Sequence, residues 1–307
     1  MVAIDRVLCP VDLSSCSRTA LQHALAIARW YEAKVTVLHV FRQVQVVDTA
    51  AAALGAGLYA PPVALPEVDR KEVERHVEEF VAHTPGAGDV AAVHTCEGIN
   101  VREEILREAE EIDADLLVLG SHGLTGVKRL VLGSVAENVL RHSPKPVLIV
   151  PAHASEAQSS GVPFKRIVCA VDFDADSYRA LRYAFDLAQE SDAQLTLLHA
   201  VAMPAVHVGA EDLTIDAESI RDTVMRNARD RLDTLVPDDA RAYCTVQAEV
   251  VEGQAHQAVL DLATEVNADL IIMGVRSRAA LDVALFGSTT HAVVRGAQCP
   301  VLTVHQE

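Results

Sequence analysis

The sequence predicts an α/β protein, Rossmann-like in plan, with two tandem open parallel five-stranded sheets carrying helices on both faces. Three observations predict it. The length of 307 residues suits two domains of about 150 residues each. The chain repeats itself: Val7-Leu-Cys-Pro-Val-Asp12 returns 160 residues later as Ile167-Val-Cys-Ala-Val-Asp172, and Ala114-Asp-Leu-Leu-Val-Leu-Gly120 returns 154 residues later as Ala268-Asp-Leu-Ile-Ile-Met-Gly274. Within each copy, short runs rich in Val, Ile and Leu alternate with longer segments of helical period, the order that folds as a parallel sheet. The boundary falls in the Ala/Ser/Gly/Pro-rich stretch after Pro151, which gives domains 1–152 and 164–307 with a linker at 153–163.

Each element follows in order. Residues 6–12 are a nearly continuous apolar run, as a strand buried on both faces requires. Ser14 or Ser15 then N-caps a helix reaching about Glu32, and a second strand covers 34–41. Residues 44–65, with Gly55, Gly57, Pro61 and Pro62, form a long connection, read either as a flap over a ligand site or as a surface loop. Strand 90–96 leads through Glu97-Gly98 into a helix whose apolar stripe is Val101, Ile105, Ala109 and Ile112. Residues 115–121 and 146–150 are apolar strands again, with a helix from Gly133-Ser134 through Leu140 between them. The second copy repeats this plan, six residues shorter in its middle. The closing strands 146–150 and 300–304 would be exposed edges on isolated domains, so the copies are expected to pair through them, with a homodimer of the whole chain as a further expectation.

Composition narrows the function. Hydrophobic residues make up 50% and charged residues 22%, which is globular and argues against disordered or coiled-coil classes. Acidic residues (43) outnumber Lys plus Arg (26), leaving a formal charge of −17 that disfavours nucleic acid and anionic membrane as partners. Six scattered cysteines without C-x-x-C spacing fit a reduced, cytoplasmic protein. An early charge at Asp5 and the lack of a long apolar run disfavour a signal peptide or membrane span. Any bound anion must therefore be held locally.

The densest glycine signal lies where a parallel sheet binds ligands, beyond the carboxyl end of the fourth strand. Gly120-Ser-His-Gly123 is followed after nine residues by Gly133-Ser134 at a helix start. Glycines let backbone N–H groups approach phosphate oxygens, Ser134 adds a hydroxyl, and the unpaired amides of the helix start add partial positive charge. Lys128 and Arg129 add formal charge inside the loop. Asp12 ends its strand and reads either as a ligand contact or as the cap of the helix that follows. His39 and His199 close equivalent strands and read as structural histidines; Cys9, Cys169 and Trp30 read as packing residues. His122, among small residues in the loop, reads as a phosphate donor rather than a general base.

The spacing Gly120-x2-Gly123-x9-Gly133-Ser134 resembles the ATP-binding signature of the universal stress protein family, and Val11-Asp12, Leu38-His39-Val40 and Lys145-Pro-Val-Leu-Ile-Val150 resemble that family in order and spacing across both copies. The resemblance implies ATP, or ADP or AMP, with Mg²⁺ to neutralise the phosphates. It implies that Asp12 hydrogen-bonds the adenosine moiety beside Pro10 and Val11, and that Val40 flanks the adenine. Leu119 and Gly120 would lie under the ribose, His122 and Gly123 would meet the phosphates, and Gly133, Ser134 and Val135 would close around them.

The second copy keeps Asp172, Gly274, Gly287 and Ser288 but has Ser277 in place of the second glycine, with Arg276 and Arg278 beside it. A Cβ there disfavours a left-handed backbone, so this copy binds phosphate through guanidinium groups, binds something else, or binds nothing. The resulting expectation is a nucleotide-dependent stress-response protein read by an unidentified regulatory partner. The alternatives are a slow ATPase or nucleotide-transferring enzyme in the same pocket, and a dimeric scaffold with vestigial pockets. No carboxylate pair or base–nucleophile set stands out to activate water, so no catalytic or metal-ligating residue is assigned.

Overall fold

A computed structural model describes residues 2–42, 69–123, 132–154, 164–202, 217–238, 240, 244–275 and 287–305. The segment 44–65, Lys128, Arg129, most of the linker and the Ser277 loop lie outside these. The first copy comprises β1 (Arg6–Pro10), α1 (Ser15–Tyr31), β2 (Lys34–Phe41), α2 (Arg70–Ala82), β3 (Val90–Glu97), α3 (Val101–Glu111), β4 (Leu116–Gly120), α4 (Ser134–His142) and β5 (Val147–Val150). The second comprises β6 (Arg166–Ala170), α5 (Ala175–Ser191), β7 (Gln194–Val201), α6 (Ala217–Thr234), β8 (Thr245–Glu252), α7 (Ala255–Glu265), β9 (Leu270–Val275), α8 (Ser288–Gly296) and β10 (Val301–His305).

Local chemistry sets the helix ends. Ser14 caps α1, its Oγ accepting the Ser17 N–H at 3.1 Å, and Asp174 caps α5 by accepting the Ser177 N–H at 2.9 Å. Both helices stop at a left-handed residue, Glu32 (φ 56°) and Asp192 (φ 49°), whose N–H returns to Ala28 and Ala188. Trp30, near the end of α1, is more than a third exposed, so the packing role expected for it is corrected.

All strands join one ten-stranded sheet in the order β3-β2-β1-β4-β5-β10-β9-β6-β7-β8. Every neighbour is parallel except the central pair, where β5 and β10 run antiparallel with Leu148 opposite Leu302 and Val147 opposite Thr303. The Thr303 hydroxyl, fully buried, donates to the Val147 carbonyl across this join at 3.0 Å. One apolar layer, including Leu21, Leu148, Phe164 and Leu302, covers one face through both copies, and another, including Leu117, Ile149, Ile271 and Val301, covers the other. Because the join is antiparallel, the carboxyl ends of the two sets of parallel strands face opposite edges of the sheet. Each copy therefore presents the carboxyl ends of its own parallel strands on its own side.

Candidate functional site

The site begins where β1 stops. Val11 still pairs, its N–H donating to the Leu38 carbonyl at 2.8 Å, and then the chain turns. Leu13 takes a left-handed φ of 65°, and Asp12 Oδ1 accepts the Ser14 N–H at 3.1 Å. The second copy repeats the turn with Phe173 (φ 62°) and Asp172 Oδ1 accepting the Asp174 N–H at 3.2 Å. A leucine and a phenylalanine in this region carry about 1–2 kcal/mol of backbone strain, and its recurrence in both copies ties it to placing the aspartate. Ser14, not Asp12, caps α1, so the capping reading of Asp12 does not apply.

Histidines brace the same corner. His39 Nδ1 meets the Val11 carbonyl at 2.8 Å and His199 Nδ1 meets the Val171 carbonyl at 2.7 Å. Since a carbonyl only accepts, Nδ1 carries the hydrogen in both rings. Their part is structural. Cys9 and Cys169 are fully buried within β1 and β6, where burial pushes their thiols far up, Cys169 to about 12. They pack and do not react.

Pro10, Val11, Asp12, Val40, Leu119, Gly120, His122, Gly123, Gly133, Ser134 and Val135 all line one cavity of about 270 Å³ at the carboxyl ends of β1, β2 and β4. Ser17, Leu38, Val101, Ile105 and Ala136 line it too and escaped the sequence reading. Val101 and Ile105 were legible as a helical stripe, but periodicity alone does not separate a pocket wall from core. In the second copy Asp172, Gly274, Gly287 and Ser288 line an equivalent cavity of about 320 Å³. Ser277 lies outside the described residues.

The glycines divide by cause. A Cβ on Gly120 would stand 2.8 Å from Cys16 Sγ, and one on Gly274 would strike the Asp176 backbone and lie 2.7 Å from the Ser177 nitrogen. These glycines let a helix start pack against the strand tip, a reason independent of any ligand. Gly123 is different, because a Cβ there would run into the Asp12 carboxylate oxygen. Gly133 requires a correction as an amide donor: its N–H is spent on the Ser121 carbonyl at 2.8 Å, which ties the loop's two ends together. The first intrahelical bond of α4 is Glu137 N–H to Gly133 carbonyl, so the amides of Ser134, Val135 and Ala136 precede it and face the helix mouth.

Polar groups converge at that end of the cavity. Ser121 Oγ lies 2.7 Å from His122 Nδ1, while His122 Nε2 is buried with no hydrogen-bond partner among the described residues. Burial, with the nearby His153 adding to it, pulls the His122 pKa below its ordinary value, so the ring is neutral near pH 7. In the second copy burial, reinforced by Asp174, pushes the Asp172 carboxyl up. The first cavity thus has apolar walls from Val11, Leu38, Val40, Ile105 and Leu119 and a polar end from Asp12, His122 and the start of α4. Such a shape suits an amphipathic ligand with an anionic tail.

Comparisons with known proteins give the lineage. The model of the universal stress protein family matches residues 3–151 and again 163–305. Universal stress protein MJ0577 of Methanocaldococcus jannaschii is 32% identical over 156 residues, covering 48% of this chain and 96% of its own. A universal stress protein of Mycolicibacterium smegmatis is 25% identical over 309 residues, spanning 97% of this chain and 96% of its own. The crystal structure of a universal stress protein from Archaeoglobus fulgidus superposes with a TM-score of 0.65 at 22% identity, covering 98% of each chain, which bears on the fold. No described helix is long and apolar enough to cross a membrane. Two matches of the family model in series, on two copies of one α/β plan, make this chain a tandem member of the universal stress protein family.

Proposed function

We propose that the first copy binds an adenine nucleotide, ATP in the presence of Mg²⁺, and that the chain serves as a nucleotide-dependent regulator of a stress response. The observation that carries the reading is the polar end of the first cavity: the buried, unpartnered His122 Nε2, the first-turn amides of α4, and a Gly123 backbone held against Asp12 too closely for a side chain. These residues fit a phosphate chain. When Nδ1 of His122 accepts the Ser121 hydroxyl proton, Nε2 carries the ring hydrogen and donates to a phosphate oxygen. The Ser134, Val135 and Ala136 amides, at the positive end of the α4 dipole, hold a second oxygen. Asp12 accepts from ribose hydroxyls, and Val40, Ile105 and Leu119 exclude water from the base. Mg²⁺ bound with the nucleotide would supply neutralising charge to the phosphates; among the described residues no group of three or more His, Cys, Asp or Glu forms a cage for it.

Mass spectrometry of small molecules released from the purified, denatured protein tests the ligand. An adenine nucleotide at near one equivalent per chain supports the proposal. Its absence, together with no heat of ATP binding in calorimetry, overturns it.

A further inference from the structure

β3 is the outer strand of the first copy and pairs with β2 alone. The Gly98 N–H that follows it donates to the Phe41 carbonyl, so along its second half the even-numbered residues bond β2 while Val93, Thr95 and Glu97 turn their backbone groups outward. Arg70, on an exposed side chain, caps one of these groups, its Nη2 donating to the Thr95 carbonyl at 3.3 Å. His94 and Cys96 stand two residues apart on one face of this strand and line a cavity of about 330 Å³. It shares no lining residue with the cavity at the carboxyl ends of β1, β2 and β4.

His94 Nδ1 lies 2.6 Å from Oε1 of Glu108, an α3 residue only 7% exposed. A carboxylate only accepts, so Nδ1 holds the ring hydrogen and Nε2 is left as a lone pair, on a side chain that is 46% exposed. A buried carboxylate behind an imidazole whose other nitrogen is open is the arrangement that orients a metal-binding histidine. Cys96 is the one cysteine of the six that is not buried. Desolvation, with Glu104 adding to it, pushes its thiol up, so it is not a ready nucleophile; a bound metal displaces that proton outright.

One histidine and one cysteine are half of a tetrahedral Cys2His2 shell. A second molecule of this chain completes it. Two β3 edges that pair antiparallel about a two-fold axis at Thr95 set His94 opposite the other chain's Cys96, and Cys96 opposite its His94, at the non-hydrogen-bonded positions where side chains stand closest. Ile99, just past the strand and 91% exposed, comes to the same seam. Charge favours a cation there, because each chain carries a formal −17 and Glu74 and Glu78 line the same cavity, so two edges repel until positive charge stands between them.

We propose that His94 and Cys96 of two chains hold one zinc ion between paired β3 edges, each His94 oriented by its Glu108 and each thiol releasing its proton to solvent as the sulfur binds the metal. The test is zinc titration of the EDTA-treated full-length chain, read by sedimentation velocity and metal content. Zinc is expected to convert monomer to dimer at one ion per two chains, releasing about two protons per ion, and Co²⁺ in its place should give the visible absorption of a tetrahedral thiolate site. His94→Ala, at an exposed position that leaves the fold in place, should abolish both the dimer and that absorption, as should Cys96→Ser. Glu108→Gln, which keeps both ligands, should weaken zinc binding at least tenfold. Zinc bound at one ion per chain without a dimer, association indifferent to zinc, or a zinc-dependent dimer untouched by His94→Ala and Cys96→Ser overturns the proposal.

Discussion

At the scale of single residues, the two strand-tip glycines give a graded test of close packing. A Cβ on Gly274 meets backbone of Asp176 and Ser177, which has nowhere to go, whereas one on Gly120 first meets the Cys16 thiol, which has a rotamer to change. Gly274→Ala should therefore destabilise by about 3 kcal/mol and Gly120→Ala by about 1 kcal/mol in urea unfolding, near the two ends of the overpacking range. Equal costs would contradict this account. His305 supplies a pH test. Buried at the end of β10, it is held neutral by burial with a pKa of about 4. The unfolded chain takes up its proton below the ordinary value of about 6.5 while the folded chain refuses it until about 4, so stability is full above pH 6.5 and falls as pH drops between those values. The loss approaches roughly 3 kcal/mol, and His305→Gln should flatten that slope in urea midpoints measured from pH 7 to 4.5. Asp12, Gly120, His122, Gly123, Gly133 and Ser134 were legible from strand ends and glycine spacing, because both are local properties, whereas Pro10, Val11, Val40, Leu119 and Val135 came only with the family resemblance. What Gly120 and Gly133 do was not, because a neighbour 104 residues away and a carbonyl across the loop decide it.

At the scale of elements, the sequence reading found the strands by their apolar runs, and its errors lie at the ends. Residues 6–12 read as one strand, yet β1 stops at Pro10 because Asp12 captures the Ser14 amide and Leu13 turns left-handed. Nothing in a hydrophobic pattern announces a left-handed leucine. The central pair β5–β10 depends on apolar side chains that are interior only because the copies meet. Leu148 and Leu302, opposite each other and almost fully buried, belong to one shared layer. Leu302→Ala should cost about 2–5 kcal/mol, measured by urea unfolding, in the range of a core leucine. A cost below about 0.5 kcal/mol would mean that the join is peripheral to stability.

At the scale of the whole molecule, the continuous sheet and two shared apolar layers make the copies one cooperative unit. Calorimetric unfolding should show a single transition, displaced as a whole by Leu302→Ala; two transitions, with only the later half of the chain affected, would contradict the shared core. The repeat offsets made this tandem plan readable from the sequence, since a duplicated pattern needs no tertiary information to be seen. The most direct measurement of the central claim is a crystal structure of the chain grown with ATP and Mg²⁺. The account predicts phosphate oxygens on His122 Nε2 and on the amides of Ser134 to Ala136, with the base between Val40 and Ile105. A nucleotide bound elsewhere, or those amides turned to protein carbonyls with the first cavity closed, would contradict it.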